Sequence, residues 1–280
     1  MTQELFNRVC TLTIGGAEWR DLRVQFQISR TAKSKPSPAT IRVDNLSQES
    51  RAAILRGTSL RLVAGYAGLA GQLFSGTIDE VRHQKTGPGW TTSLTASDGR
   101  QAWGRFVSRS WTSGTPYKQL VQELAGQMGL AVPASALAMV KGGTRGPAAM
   151  SGFAHREMDL LMAALDLQWS VQDGALQVVP PAGSTVERAI LLSPGTGLVG
   201  SPEVIEFKAC RVTGDDGKRR TVKRPAIKAI SLLQAGYYPG RRIKLESAEH
   251  KGEFRIDRAD HRGDTHGGEF YTELYLSEVL

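Results

Sequence analysis

Alternation of apolar and polar residues is the feature that most constrains what this chain can fold into. Val24, Phe26 and Ile28 alternate with Arg23, Gln25 and Gln27; Ile41 and Val43 alternate with Arg42 and Asp44; Leu60 and Leu62 flank Arg61; Trp90, Thr92, Leu94 and Ala96 share one side. A period of two sends successive side chains to opposite faces of a strand, so most of residues 1–112 is expected to form half-buried strands of an antiparallel sheet. The pattern resumes at Val204 and continues through Ile243 and Leu245, Phe254 and Ile256, and Phe270, Thr272, Leu274 and Leu276. Between these stretches the period changes. Leu120, Val121, Leu124, Ala125 and Met128 make a helical stripe, with Thr115 expected to cap it, Pro116 in its first position and Gly129 stopping it. Met158, Leu161, Met162 and Leu165 make a second stripe after KGGTRGPAAMSG, which reads as flexible. Gln168 to Val171 and Ala175 to Val179 then read as a hairpin about Asp173-Gly174. The expected organisation is mainly β: a first β domain over 1–112, a small α+β insert over 113–200 and a second β domain over 201–280.

The two β stretches echo each other. G-T-S-L-R-L at 57–62 lines up with G-R-R-I-K-L at 240–245, I-D-E-V-R-H at 78–83 with I-D-R-A-D-H at 256–261, and T-S-L-T-A-S at 92–97 with T-E-L-Y-L-S at 272–277. The order is kept, as a duplicated β module would leave it. Two local features interrupt the first stretch. Arg30 to Ala39, RTAKSKPSPA, holds two prolines and three cations and is expected to project as a long mobile loop. Ser47 is expected to cap a short helix, with Glu49 at its positive end and Gly57 closing it.

With 40% apolar and 22% charged residues among 280, the chain belongs with ordinary soluble globular proteins. No window approaches the 18 apolar residues of a membrane span, and MTQELFNRVC lacks the apolar run of a signal peptide, so a cytoplasmic chain is expected. Cys10 and Cys210 stand far apart without ligand spacing and read as reduced, half-buried thiols. The formal charge of +8 is unevenly spread: 208–244 holds 11 basic and 2 acidic residues, +9, while 245–280 holds 4 and 9, −5. Lys218, Arg219, Arg220, Lys223 and Arg224 flank the turn signature Gly214, Asp215, Asp216, Gly217 without interleaved aromatics, so they read as a solvated or protein-facing hairpin tip rather than a nucleic-acid site.

Apparent chemical motifs weaken in context. Gly195, Gly197 and Gly200 spell the dinucleotide fingerprint, yet Ser201, Pro202 and Glu203 lead into strand-like residues instead of a helix that could hold pyrophosphate. Asp260, His261, Asp264 and His266 supply four metal-type donors, but Asp264 to Gly268 reads as a turn, and a solvated hairpin is expected there. His83 and His155 lack acidic or thiol neighbours at useful spacing and read as surface or satisfied residues. Neither a catalytic residue nor a metal or cofactor site is assigned.

Certain short segments carry a resemblance when taken in order: Ile41-x-Val43-x-Asn45-Leu46-Ser47, Gly65-Tyr66-x-Gly68, Leu73-Phe74-x-Gly76-x-Ile78, Ser97-Asp98-Gly99, the helix after Gly114-Thr115, Gly197-Leu198-Val199-Gly200-Ser201-Pro202-Glu203, Tyr238-Pro239-Gly240 and Gly263-Asp264-Thr265-His266-Gly267. Across nearly the whole chain they resemble the baseplate hub proteins of tailed bacteriophages, a family also found in tailocins and contractile injection systems. The resemblance implies two tail-tube-like β-barrels per chain and a homotrimeric ring that adapts a six-fold tube to a three-fold spike or central fibre. It implies tail tube or distal tail protein, spike or fibre, and tape measure protein as partners, DNA only as passing cargo, no membrane, and a place at the virion tail tip after assembly in host cytoplasm. On that reading Arg219, Arg220, Lys223, Arg224, Arg241 and Arg242 are expected to meet acids among Glu246 to Glu278 of a neighbour, while Lys33 and Lys35 grip the adjacent ring. The rivals are a tail-associated peptidoglycan hydrolase using Asp260, His261 and His266, and a nucleic-acid-binding protein.

Overall fold

The computed structural model describes residues 7–181, 183–185, 187–213 and 219–279, without the side chains of Lys208 and residues 210–219. In chain order its elements are β1 (Arg8–Ile14), β2 (Ala17–Trp19), β3 (Val24–Thr31), β4 (Ser37–Asp44), α1 (Gln48–Ala53), β5 (Ser59–Tyr66), β6 (Gly71–Thr86), β7 (Gly89–Asp98), α2 (Arg100–Trp103), β8 (Phe106–Trp111), α3 (Tyr117–Met128), α4 (Ala134–Met139), β9 (Ala148–Phe153), α5 (Ala154–Ala164), β10 (Gln168–Gln172), β11 (Ala175–Val179), β12 (Ile190–Leu192), a 3-10 turn (Pro194–Thr196), β13 (Leu198–Thr213), β14 (Arg219–Leu232), β15 (Arg242–Glu246), β16 (Lys251–Asp264) and β17 (Phe270–Glu278). No helix among the described residues is long and apolar enough to cross a membrane.

The chain is mainly antiparallel β. Thirteen strands join in one sheet, ordered β13-β14-β17-β16-β3-β4-β7-β6-β5-β1-β2, with β15 on β16 and β12 beside β15. Among the described residues this sheet does not close on itself. Period-two patterning sets which face is buried: Val24, Phe26 and Ile28 of β3 and Ala39, Ile41 and Val43 of β4 all point into the first core, with Leu12, Leu60, Leu62, Phe74, Ile78 and Leu94. A second β core gathers Leu192, Ile227, Ile243, Leu245, Phe254, Ile256, Leu274 and Leu276. The two β cores lie side by side in one sheet, joined by the β16·β3 ladder from Arg258↔Thr31 to Asp264↔Gln25.

The sequence echo is a repeat of strand register. Leu60 faces Gly76 as Ile243 faces Phe254. Ile78 faces Ala96 as Ile256 faces Leu276, and in both places the ladder then slips by one residue, leaving Asp79 and Asp257 as matching bulges. Ser97 donates to the first of these carboxylates at 2.6 Å and Ser277 to the second. Beyond the bulge His83 faces Thr92, with Nδ1 to Oγ1 at 3.0 Å, and His261 faces Thr272 at 2.9 Å. The repeat extends to β4 and β14, where Ile41 faces Leu94 and Ala229 faces Leu274.

A third core belongs to the α+β insert. The stripe from Leu120 to Met128 and the stripe of Met158, Leu161 and Met162 are buried against Trp169, Val171, Leu176 and Val178. Asp173 and Gly174 both adopt positive φ, 53° and 76°, as a tight hairpin between β10 and β11 requires. Four local expectations are corrected. The helix after Gly114 begins at Tyr117, and Thr115 bonds the Thr112 carbonyl instead of capping it. Part of the glycine-rich stretch forms β9, paired with β8. The expected long loop shrinks to the bend Ala32–Pro36, because Ser37, Pro38 and Ala39 extend β4 against β7. Pro38 is tolerated because the β3 ladder ends at Ile28↔Ala39, so only one neighbour remains beside it. The fourth correction concerns Asp260, His261 and Asp264, which lie buried within β16 rather than on a solvated tip.

Candidate assembly interface

β13 and β14 outrun the rest of the sheet. β17 covers β14 only from Ala226 to Leu232, whereas the β13·β14 ladder continues to Thr213↔Arg219. The predicted hairpin is therefore a two-stranded arm, with residues 214–218 outside the described residues and the Arg219 side chain likewise. Arg220 and Lys223 are exposed on it, while Arg224 is buried at its root and donates to the Glu278 carbonyl. Lys33 and Lys35, exposed on the bend after β3, line a cleft with Arg224, Arg255, Asp159 and Trp169. Three of the sequence-predicted interface cations thus converge from opposite ends of the chain.

Arg241 and Arg242 lie apart from that cleft. Arg241 pairs with Glu187 at 3.4 Å and donates to the Gly236 carbonyl, and Arg242 reaches Glu253 at 3.5 Å. The acidic block is largely engaged within the chain: Lys244 with Glu246, Arg255 with Asp257, Arg258 with Asp260 and Lys228 with Glu273. Lys228–Glu273 and Arg242–Glu253 join the two charge blocks across paired strands, whereas Arg255–Asp257 and Arg258–Asp260 lie two positions apart on one strand. The more exposed of these pairs stabilise by no more than about 1 kcal/mol each.

The insert is held against the β cores by a compact polar joint. Arg30, almost fully buried on β3, donates to both Asp173 oxygens at 2.8 and 3.0 Å, and its guanidinium lies 4.7 Å from the Tyr238 ring centre. Asp98 accepts from the Asp173 and Gly174 amides at 2.6 and 3.1 Å. Burial, reinforced by the Asp173 charge, pushes the Asp98 carboxyl up to about 6 despite those bonds.

The metal-type donors Asp260, His261, Asp264 and His266 have other partners. Asp264 accepts from Arg23 at 2.7 Å, Gln25 at 2.8 Å and the His266 amide at 2.9 Å, which hold its carboxyl well below the usual range. Complete burial, with Arg30 nearby, lowers His261 to about 3, so its imidazole stays neutral. Asp260 accepts from Ser29 at 2.7 Å and pairs with Arg258. Among the described residues no group of three or more such side chains is arranged to hold a metal ion. The glycine run is equally structural: Gly197, at φ 108°, ends a 3-10 turn and a strand follows, so no helix N-terminus stands ready for pyrophosphate. Cys10 is a free, buried thiol pushed up to about 12 by burial, and the Cys210 side chain lies outside those described.

Sequence reasoning missed the exposed apolar residues. Val204, Ile205 and Phe207 stand open on β13, Phe207 at 65% exposure, although they read as ordinary strand positions. The available signal was the run V-I-E-F, which breaks alternation where an apolar residue faces out on both sides. On the β8·β9 pair, Phe106 and Phe153 form an exposed edge-to-face pair at 6.1 Å.

No protein-family model matches this chain, and no curated protein matches it. Solved structures do. A tail protein from Neisseria meningitidis MC58 superposes with a TM-score of 0.66 at 13% identity, covering 98% of this chain and 97% of that one. The prophage MuSo2 43 kDa tail protein from Shewanella oneidensis gives 0.64 at 9% identity, over 96% and 97%. An Escherichia coli component of the type VI secretion system, described as structurally similar to the T4 bacteriophage tail proteins gp27 and gp5, gives 0.61 at 11% identity over 96% and 76%. At such identities the likeness establishes a shared fold.

Proposed function

We propose that this protein is a mechanical part of a phage-type tail baseplate: a hub of three copies arranged as a ring between a six-fold tube and a three-fold spike or central fibre. The observation that carries the reading is the repeat of register, bulge and His–Thr rung in two β units lying side by side in one sheet. A chain with two like units presents six to a tube when three copies meet, which reconciles the two symmetries. The fold shared with tail proteins supports this assignment.

Within it, Arg219, Arg220 and Lys223 on the arm, Arg224 at its root, and Arg241 and Arg242 meet acidic residues of a neighbouring copy in the ring, and the bend carrying Lys33 and Lys35 grips the adjacent ring. Tube or distal tail protein, spike and tape measure protein are the partners, DNA passes through the ring, and the site of action is the virion tail tip. Negative-stain images and native mass measurement of the purified chain test it. A three-fold ring with a central hole is expected, and a monomer at every concentration and salt would overturn the assignment.

A further inference from the structure

The internal joint between the two β units leaves its own counterpart open. In the second unit, β16 is covered in two parts: its start pairs with β15, and its far half, Arg258 to Asp264, pairs with β3 of the first unit. In the first unit, β6 begins the same way, pairing with β5 over Gly71–Thr77, but its far half from Glu80 to Thr86 pairs only with β7 among the described residues. At the other end of the sheet, β13 pairs only with β14 among the described residues. By the register of the repeat, β13 is the second unit's equivalent of β3: Ile28 pairs with Ala39 where Val204 pairs with Ile227, and Ala39 and Ile227 face Ala96 and Leu276. A long edge with exposed apolar residues invites another strand.

We infer that the far half of β6 in one copy pairs antiparallel with β13 of a second copy, reproducing between chains the ladder that β16 and β3 form within one. This rests on the ring reading and deepens it by naming the strands that join its subunits. Carrying the β16·β3 register through the repeat puts Val81 opposite Phe207, Arg82 opposite Glu206, His83 opposite Val204 and Gln84 opposite Glu203, with Ile205 at the slip already present between Val204 and Glu206. The chemistry of the rungs agrees. In the internal joint the corresponding pairs Ala259–Arg30 and His261–Ile28 are buried, so half-buried Val81 and exposed Val204 and Phe207 occupy positions that a second strand would cover. On the opposite face Asp260 faces Ser29 and bonds it at 2.7 Å, and the equivalent pair is the opposite-charge couple Arg82 and Glu206. Opposite charges directly across an antiparallel pair are favourable and like charges are not, so the register is selected as well as allowed.

The test uses the full chain with Cys210 replaced by Ser and two designed pairs, Val81→Cys with Phe207→Cys and Arg82→Cys with Glu206→Cys. Adjacent antiparallel rungs alternate between wide and close spacing, so one pair suits a disulfide. Mild oxidation is expected to link chains in at least one double variant, with single variants and the out-of-register pair Val81→Cys with Glu203→Cys unlinked. In parallel, Arg82→Glu or Glu206→Arg alone is expected to raise the subunit dissociation constant at least tenfold at low salt, and the double reversal to restore it. A three-fold ring without the in-register links, or reversals that leave assembly unchanged, overturns this joint while sparing the ring. In-register links in open chains or dimers uphold the joint and overturn the ring, and a chain that stays monomeric overturns both.

Discussion

The two β units build one rung from the same residues and bury it differently. His83 and His261 each sit five residues after the isoleucine that begins a repeated segment, each bonds a threonine across the ladder, and each follows an aspartate bulge. His83 is exposed, whereas His261 is 1% exposed because β3 lies along its strand. Arg30 makes the neighbouring contrast: its β3 position is sealed by the internal joint, while its β13 equivalent, Phe207, stands open. The difference teaches that the repeat specifies a strand's own ladder, while a strand's environment is set by whichever unit comes to lie beside it.

The largest test of that comparison is at the matched isoleucines. Ile78 and Ile256 are 1% and 0% exposed at equivalent bulges, so Ile78→Ala and Ile256→Ala should each lose about 2–5 kcal/mol in denaturant unfolding. A cost at one site and none at the other would break the equivalence of the two cores.

Acid tests the buried histidine next. An unfolded histidine takes up its proton near 6.5, but folded His261 does so only at about 3, so the unfolded state binds more protons in between. Stability carried by neutral His261 is present at pH 7 and lost as pH falls, roughly 3 kcal/mol by pH 4. His261→Gln should flatten that part of the profile, read from denaturation midpoints at pH 7, 5.5 and 4. Equal acid sensitivity in wild type and His261→Gln would end the comparison.

Asp98, on the joint to the insert, has the opposite sign. Its carboxyl is lifted from 3.8 to about 6, so the folded state binds more protons in that window and stability falls as pH rises through it. The Asp173 and Gly174 amides donate to different oxygens of Asp98, so Asp98→Asn keeps an acceptor for only one of them; it should lower stability at every pH and remove about 3 kcal/mol of this pH dependence. An unchanged slope between pH 4 and 6 would place that titration elsewhere. The smallest effect is expected at Phe207→Ser: within about 0.5 kcal/mol for the isolated subunit, because the ring is already in water, yet with assembly lost. A large drop in subunit stability would mean that Phe207 serves its own chain.

Much of this was legible in the chain itself. Alternation located the strands around Val24, Ile41, Leu94 and Leu274, the helical stripes located α3 and α5, and the Asp173-Gly174 pair located the hairpin. The three echoed segments preserved the duplication because their residues make the same cross-strand contacts twice. The interface was less legible. Lys33, Lys35 and Arg224 were named for their charge, but their convergence on one cleft joins residues about two hundred positions apart. The acidic block gave a false outline because Glu253 and Asp257 are engaged by cations on their own sheet. Pro38 misled for a related reason, since proline excludes a strand only where a second neighbour needs its N–H.

By itself, then, the order of residues determined the elements and their twofold repetition, because side-chain period and turn geometry are properties of a few consecutive positions. Only the tertiary structure decided which edges are covered, that Asp260, His261 and Asp264 are interior, and that β13 and half of β6 lack a second ladder among the described residues. Burial of a strand edge is fixed by a partner such as β3 beside β16, 231 residues apart at Ser29 and Asp260, and no local pattern records that choice.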